Sequence, residues 1–188
     1  KKPIFKQTTE KRMELKIFQN FTDNYLNFTK NWRHNYNRSM KKNLTYESIE
    51  KINYADLYSI YEEMTKLKNI NIYFEKKNMK FLIDKCKDSL IYFQCTKDNQ
   101  LLSARLLGFI NENAFDLIAA TNKDGRKYYA SYFLFTKIFD DFKRKKIKTY
   151  DLSGVDPIKN KGVYNFKKGL GSKLIHCIGE WDYSNLPY

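Results

Sequence analysis

Between residues 18 and 43 the apolar positions Phe18, Phe21, Tyr25, Phe28 and Trp32 recur at helical spacing, and Arg33, Arg38, Lys41 and Lys42 crowd the far end. Cations there complement a helix dipole, so the pattern predicts one helix with a basic last turn. A short strand follows at 44–49 (LTYESI). Residues 53–69 carry a second stripe, Leu57, Ile60, Tyr61, Met64 and Leu67, behind Asn53 as cap. EKKNMKFLIDKCK, at 75–87, reads as a further short helix.

From residue 89 the period becomes that of strands. SLIYFQCTKDNQLLSARLLGFINENAFDLIAATN is three β-rich runs split by the turn signals KDNQ and NEN, which predicts a meander. The second run, Leu101 to Ile110, is nearly all apolar but holds Arg105. A charge at that point must reach an edge, a cleft or a partner, or snorkel to water. Helical spacing returns over 124–147, with Tyr132, Phe133, Thr136, Ile138, Phe139 and Phe142 on one stripe. Then come a strand entering a turn (KTYDLSGV), a loop, a helical turn closed by Gly169 (VYNFKKGLG) and a final strand (SKLIHCIGEWDY).

This order predicts an α+β fold: a mixed, mostly antiparallel central sheet flanked by helices, with one late βαβ unit holding parallel strands. No repeat or linker divides it. The expected organisation is a single domain over 20–188 and an N-terminal extension over 1–19, flexible or left from a longer chain.

Composition narrows the function. The chain of 188 residues is 42% hydrophobic with 15 Tyr and 14 Phe, which is not the make-up of a disordered protein. No apolar run approaches the roughly 20 residues of a membrane span, and the start lacks an apolar signal core. Three widely spaced cysteines and two histidines argue against a disulfide framework and against a metal centre. A reducing cytoplasm fits best. The net charge of +14 has two readings: a polyanionic partner, or Lys-rich solvated faces. From 141 to 173 ten Lys/Arg stand against three Asp, so the charge is densest near the C-terminal glycines.

Two loops qualify for chemistry. In βαβ units ligands sit beyond the carboxyl ends of strands, near a helix N-terminus. TNKDGRKYYA is one such place, with Gly125 and Arg126 as candidate cofactor contacts. An acetyl-CoA enzyme of the GNAT type would carry R/Q-x-x-G-x-G/A there, and this loop has one glycine. The other is SGVDPIKNKGVYNFKKGLG, where Lys167 and Lys168 stand beside glycines. A lysine ammonium there can stabilise the oxyanion formed when an amine attacks an acyl carbonyl. Asp151 and Asp156 are candidates to orient or deprotonate that amine.

The whole stretch YDLSGVDPIKNKGVYNFKKGLGSKLIHCIGEW resembles the C-terminal signature of the Fem (FemABX) family, tRNA-dependent peptidyltransferases that build peptidoglycan bridges. KNWRHNYNRSMKKN is similar to the helix that opens the second of that family's two GNAT-like subdomains. The likeness runs from about Asn20 to Trp181 and implies a GNAT-like fold matching that second subdomain. It implies that Phe166 and Lys167 lie beside the acyl-acceptor site, with Lys167 assisting transfer and Tyr150 and Asp151 bordering the cleft. Where the family places an arginine and a tyrosine near the acceptor's phosphates, this chain has Lys77 and Phe81. The candidate set is therefore catalytic Lys167 and Asp151, and substrate-binding Phe166, Tyr150, Arg105, Lys168 and Lys77.

The implied reaction is transfer of an aminoacyl group from aminoacyl-tRNA to an amine of a peptidoglycan or other cell-envelope precursor, with no permanently bound cofactor. The implied partners are tRNA and a phosphorylated, nucleotide- or lipid-linked precursor. The implied place is the cytoplasm, with peripheral contact at the inner face of the membrane. Two alternatives stand beside it: an acyl-CoA-dependent N-acyltransferase of sugars or amino acids, and a non-catalytic basic module that binds RNA or a precursor.

Overall fold

The structure is a computed structural model and describes residues 11–70 and 74–178. Its centre is one sheet of seven strands. In chain order the elements are β1 (Lys11–Lys16), α1 (Phe21–Asn27), α2 (Lys30–Ser39), β2 (Thr45–Ile49), α3 (Tyr54–Lys68), α4 (Lys76–Cys86), β3 (Leu90–Lys97), β4 (Gln100–Ile110), β5 (Asn113–Thr121), α5 (Lys123–Lys127), α6 (Ala130–Arg144), β6 (Thr149–Gly154), α7 (Lys161–Lys168) and β7 (Lys173–His176). The sheet order is β2-β3-β4-β5-β6-β1-β7. All neighbours are antiparallel except β5 and β6, which are parallel and joined through α5 and α6. The mixed sheet and the late βαβ unit are those read from the sequence.

Four expectations need correction. The helix foreseen over 18–43 is two helices. Phe28 turns extended (φ −71°, ψ 139°), and Thr29 becomes the cap of α2, accepting from the Trp32 N–H. Thr29 also donates its own N–H to the Gly169 carbonyl at 2.8 Å, so the break serves docking of the C-terminal segment. Similarly, the helix foreseen over 124–147 is divided at Tyr129, which is left-handed (φ 58°), giving α5 and α6.

The boundary at residue 20 is also wrong. Lys11–Lys16 are a strand between β6 and β7, with Met13 and Leu15 buried. A short stretch with two inward apolar residues among charges carries too little alternation to announce itself. Last, the final strand spans only Lys173–His176, and residues 179–183 of the stretch assigned to it lie outside the described residues.

Two hydrophobic cores flank the sheet. One joins β1, β4 and β6 to α2 and α6 through residues such as Trp32, Phe135, Phe142 and Tyr150. The other joins α3 and α4 to the opposite face through Leu57, Met79, Leu106 and Ile118. Burying apolar area at about 25 cal/mol per Å² is what holds the helices to the sheet. Asn53 caps α3 by accepting from Ala55 N–H, as its sequence position suggested. In β5 a register shift makes Leu117 an extra residue, since Leu107 pairs Asp116 and Leu106 pairs Ile118. The bulge changes which side chains face which core. Ala114 faces the α6 side, whereas Ile118 and Ala120 face α3 and α4.

Candidate active site

Parallel pairing of β5 with β6 covers only three pairs, Asn113–Thr149, Ala114–Tyr150 and Phe115–Asp151. Beyond them the strands part, and a cavity of about 980 Å³ opens between them. Asp116 and Thr121 line it from β5, and Leu152 and Ser153 from β6. Phe166 and Lys167 of α7, Ser131 and Tyr132 of α6, Arg126 of α5 and Lys68 of α3 complete the walls. The site therefore sits at the carboxyl ends of the βαβ strands, where such units bind ligands.

Lys167 is 9% exposed, and its Nζ donates to the Gly154 carbonyl at 2.9 Å. Burial is the largest influence on the amine and pulls its pKa down to about 8; Arg105 and Lys68 push the same way, while Asp116 and Asp151 oppose them. An ammonium of that kind is close to giving up its proton near neutral pH. Phe166 beside it packs against Tyr132 (ring centroids 5.1 Å) and Trp32 (5.7 Å). The Phe-Lys pair thus presents a fixed aromatic wall and a buried amine to one space.

Arg105 finds its partner inside. Its Nη1 donates to Asp116 Oδ2 at 2.6 Å and to Tyr150 Oη at 3.3 Å. Its guanidinium lies 5.1 Å from the Phe135 ring centroid and 5.7 Å from that of Phe166. It lines the cavity, but its charge is committed to Asp116. Asp116 Oδ1 is buried and has no hydrogen-bond partner among the described residues. A hydroxyl chain also faces the cavity: Ser131 Oγ lies 2.7 Å from Thr121 Oγ1, which lies 2.9 Å from Ser103 Oγ, and Ser103 donates to the Ala120 carbonyl.

Other foreseen residues fall elsewhere. Tyr150 is fully buried, stacked on Phe135, and its phenol is pushed well above its usual pKa by burial and Asp116. It is a core residue that supports Arg105. Asp151 is absent from the cavity wall; its carboxylate accepts from Arg12 at 2.7 Å and from the Ser153 N–H at 2.8 Å. That ties β1 to β6 and leaves the carboxylate no place as base. Asp156 does line the cavity, with Oδ1 accepting the N–H groups of Ile158 and Lys159. Lys168 is exposed over the Tyr164 ring, and Lys77 is exposed on α4 beside Glu75; neither lines the cavity.

Gly125 is a packing glycine. A Cβ there would lie 2.1 Å from the Leu102 carbonyl oxygen, so the residue lets α5 settle on β4 and cradles nothing. Arg126 does reach the cavity. Sequence reasoning missed Asp116, Lys68, Ser131 and Lys159 as cavity residues. Lys68 is half-buried, and burial followed by the charges of Arg126 and Arg105 pulls its pKa down. Among the described residues no His, Cys, Asp and Glu group could hold a metal ion.

The model of the FemAB family matches residues 15–188. No curated protein matches. Among solved structures, the chain is similar to FemX (TM-score 0.79, 15% identity), covering 95% of this chain and 63% of that one. It is also similar to a domain described as the C-terminal part of a lysylphosphatidylglycerol synthetase from Agrobacterium fabrum (TM-score 0.61, 17% identity; 90% and 58% covered). An aminoglycoside acetyltransferase from an uncultured soil metagenomic sample superposes less closely (TM-score 0.52, 11% identity; 79% and 97% covered). The fold is GNAT-like. The chain spans less than two thirds of the length of FemX.

Proposed function

The chain belongs to the FemAB family, and on that premise we propose that it is an aminoacyltransferase, moving an aminoacyl group from aminoacyl-tRNA onto an amine of a peptidoglycan or related envelope precursor. The observation that carries the reading is Lys167: a buried amine held by the Gly154 carbonyl in the gap between β5 and β6. As the acceptor's nitrogen forms its bond to the acyl carbon, charge builds on the carbonyl oxygen. A Lys167 ammonium stabilises that oxyanion; the carbonyl then re-forms as the ester C–O bond breaks, the tRNA leaves as its free ribose hydroxyl, and that hydroxyl takes up the proton the nitrogen loses. Phe166 holds the reacting groups against a rigid face.

The donor end is supported by charge. Lys68, Arg126 and Lys159 line the cavity and suit phosphates. Gly125, wedged against Leu102, does not supply the glycine-rich turn that a CoA pyrophosphate takes in GNAT enzymes. The acceptor is then a phosphorylated, nucleotide- or lipid-linked precursor. The work is done in the cytoplasm, at the inner face of the membrane; no helix among the described residues is long and apolar enough to cross it.

The deciding experiment measures transfer of radiolabel from charged bulk tRNA and from acetyl-CoA to an extract of envelope precursors. Transfer from tRNA that Lys167→Ala abolishes, without loss of tRNA binding, supports the reading. Transfer from acetyl-CoA alone replaces it with a CoA-dependent enzyme. If neither donor works and Lys167→Ala weakens tRNA binding, the chain is a binding module.

A further inference from the structure

Tyr129 holds a backbone conformation that its side chain disfavours. It follows the last turn of α5 and is left-handed (φ 58°, ψ 30°). Helices that end this way usually carry glycine there, because a Cβ is crowded in that region. Asn and Asp tolerate it best, and among the described residues they supply five of the eight non-glycine positions at positive φ. A bulky aromatic is the exception. Nor does Tyr129 cap the next helix, since its side chain makes no hydrogen bond to the start of α6. Strain kept at such a position points to a use for the side chain that sits there.

That side chain stands at the rim of the cavity. Its ring meets the ring of Tyr132, a wall residue, at 6.3 Å between centroids and 61°, an edge-on contact that covers at most one face. The Tyr129 N–H donates to the carbonyl of Arg126, another wall residue, at 3.2 Å. Its hydroxyl accepts from Arg38 Nη1 at 2.9 Å, and the Arg38 guanidinium lies 5.6 Å from its ring centroid. Arg38 is exposed and keeps further N–H donors beyond the one it spends on Tyr129. A half-buried ring beside one arginine and three residues from another suits an unpaired nucleotide, which needs a π-face for its base and cations for its phosphates. A duplex keeps its bases stacked on one another and offers none to such a ring.

We propose that Tyr129, pinned by Arg38, stacks a base of the unpaired 3′ end of the tRNA donor and so guides the aminoacyl ester into the cavity. This rests on the aminoacyl-tRNA reading above. The ester is carried on the terminal ribose, which has to reach the space that Lys167 lines, so the nucleotides before it leave across the rim. Stacking tolerates any base, because every base has a π-face, and this suits an end that all tRNAs share. The bond from Arg38 holds the ring in one orientation, and the spare donors of the guanidinium are placed for the phosphate next to the stacked base. A purely structural role, in which the ring only joins α2 to α6, is separable: glycine at 129 relieves the backbone while removing the ring.

The test uses an acceptor-stem RNA hairpin with the unpaired 3′ ACCA of tRNA, and the same hairpin without those nucleotides, both read by filter binding. Wild-type protein should bind the ACCA hairpin about fivefold or more tighter than the truncated one, the usual gain from one stacked base. Tyr129→Gly should lose that preference and bind the truncated hairpin as before. It should also melt within about 3 °C of wild type or higher, because relief of the left-handed strain offsets the lost ring contacts. Tyr129→Phe keeps the ring without the bond to Arg38 and should retain the preference. A preference kept by Tyr129→Gly, or lost together with a larger fall in melting temperature, overturns the inference, and so does equal loss in Tyr129→Phe. Equal binding of the two hairpins by wild type overturns it as well, while transfer from charged tRNA by the same preparation leaves the donor reading intact. If that preparation transfers from acetyl-CoA alone, the donor reading itself fails, and this inference with it.

Discussion

Lys167 donates from Nζ to the carbonyl of Gly154, 2.9 Å away, so the last turn of α7 is tied to the end of β6 at the mouth of the gap between two parallel strands. That one bond fixes where the ammonium points. It also keeps a side chain with four rotatable bonds in one place, a cost in entropy of up to about 2 kcal/mol that the site has already met before any substrate arrives.

The first prediction concerns rate and pH. Since burial brings the Lys167 pKa down to about 8, the ammonium that stabilises the oxyanion is lost as pH rises through that value. Transfer should fall along a limb centred near pH 8. Lys167→Ala should reduce kcat by about 10²-fold or more, the usual consequence of removing one oxyanion donor, with tRNA affinity held within about twofold. A pH profile of wild-type transfer, flat from pH 7 to 10, would overturn the role.

The same burial predicts a pH-dependent stability. Folding lowers the pKa of Lys167 from 10.5 to about 8, so between those values the unfolded chain binds more protons than the native one, and stability rises with pH. The penalty is present in full below about pH 8 and gone above about 10.5. Lys167→Met should therefore be more stable than wild type at pH 7, by up to about 3 kcal/mol less the lost bond to Gly154. That advantage should shrink as pH rises from 8 to 10.5. Urea melts of the two proteins at pH 7 and pH 10 measure it; an advantage that is constant or grows with pH would contradict the buried, charged lysine.

Much of this was legible in the chain and some was not, for physical reasons. Asn53, the apolar stripe of α3 and the turn at Asp98 and Asn99, both at positive φ, announce themselves because local chemistry decides them. Lys167 was singled out through motif resemblance, and it lines the cavity together with Phe166. Strand β1 was missed because its pairing with β6 and β7 comes from far along the chain, and two buried residues leave little local trace. The breaks at Phe28 and Tyr129 follow from tertiary packing that helical periodicity does not register. Asp116 had a signal that went unread: an acid in one apolar run, on the strand that follows the run holding Arg105, whose guanidinium reaches along the sheet to it. Tyr150 and Asp151 stand next to each other on a strand, so they face opposite ways, and neither points at the cavity.

The pair Arg105–Asp116 predicts a strong asymmetry between single and double substitutions. The side chains are 7% and 5% exposed, so Arg105→Met leaves a carboxylate buried without its cation. Loss of about 3–5 kcal/mol is expected, against a smaller loss for Arg105→Met/Asp116→Leu, where no charge remains to be solvated. Chemical denaturation of the three proteins at neutral pH gives the answer. Additive losses in the double variant would show that the two groups do not depend on each other.

Gly125→Ala tests the difference between a packing glycine and a phosphate loop. The added methyl would sit 2.1 Å from the Leu102 carbonyl oxygen and 2.9 Å from Thr121 Cγ2, in a buried helix, with backbone on one side that has nowhere to go. Overpacking of that severity costs about 3 kcal/mol or more, so the thermal midpoint should drop by 10 °C or more, on the order of the shift such an energy gives in a domain of this size. A soluble variant with an unchanged midpoint and weakened donor binding would restore Gly125 to the ligand.

The cations divide into those that face the cavity and those that do not, and tRNA binding should respect the division. Lys68, Arg126 and Lys159 line it; Lys77 and Lys168 do not. Each phosphate neutralised by a side chain adds about 0.7–0.9 to the slope of log affinity against log salt. Alanine at Lys68, Arg126 or Lys159 should therefore lower that slope by about one step each and weaken binding similarly for all tRNA species, because phosphate contacts carry no sequence information. Alanine at Lys77, which sits on α4 paired with Glu75, or at Lys168, over Tyr164, should leave the slope unchanged. Lys68 has a second signature. Burial and the neighbouring charges of Arg126 and Arg105 lower its pKa, so removing Arg126 should raise it, visible as a shift of the Lys68 side-chain resonance in a pH titration. Slopes that fall equally for all five substitutions would mean that tRNA spreads over the basic surface at large and does not enter through this cavity.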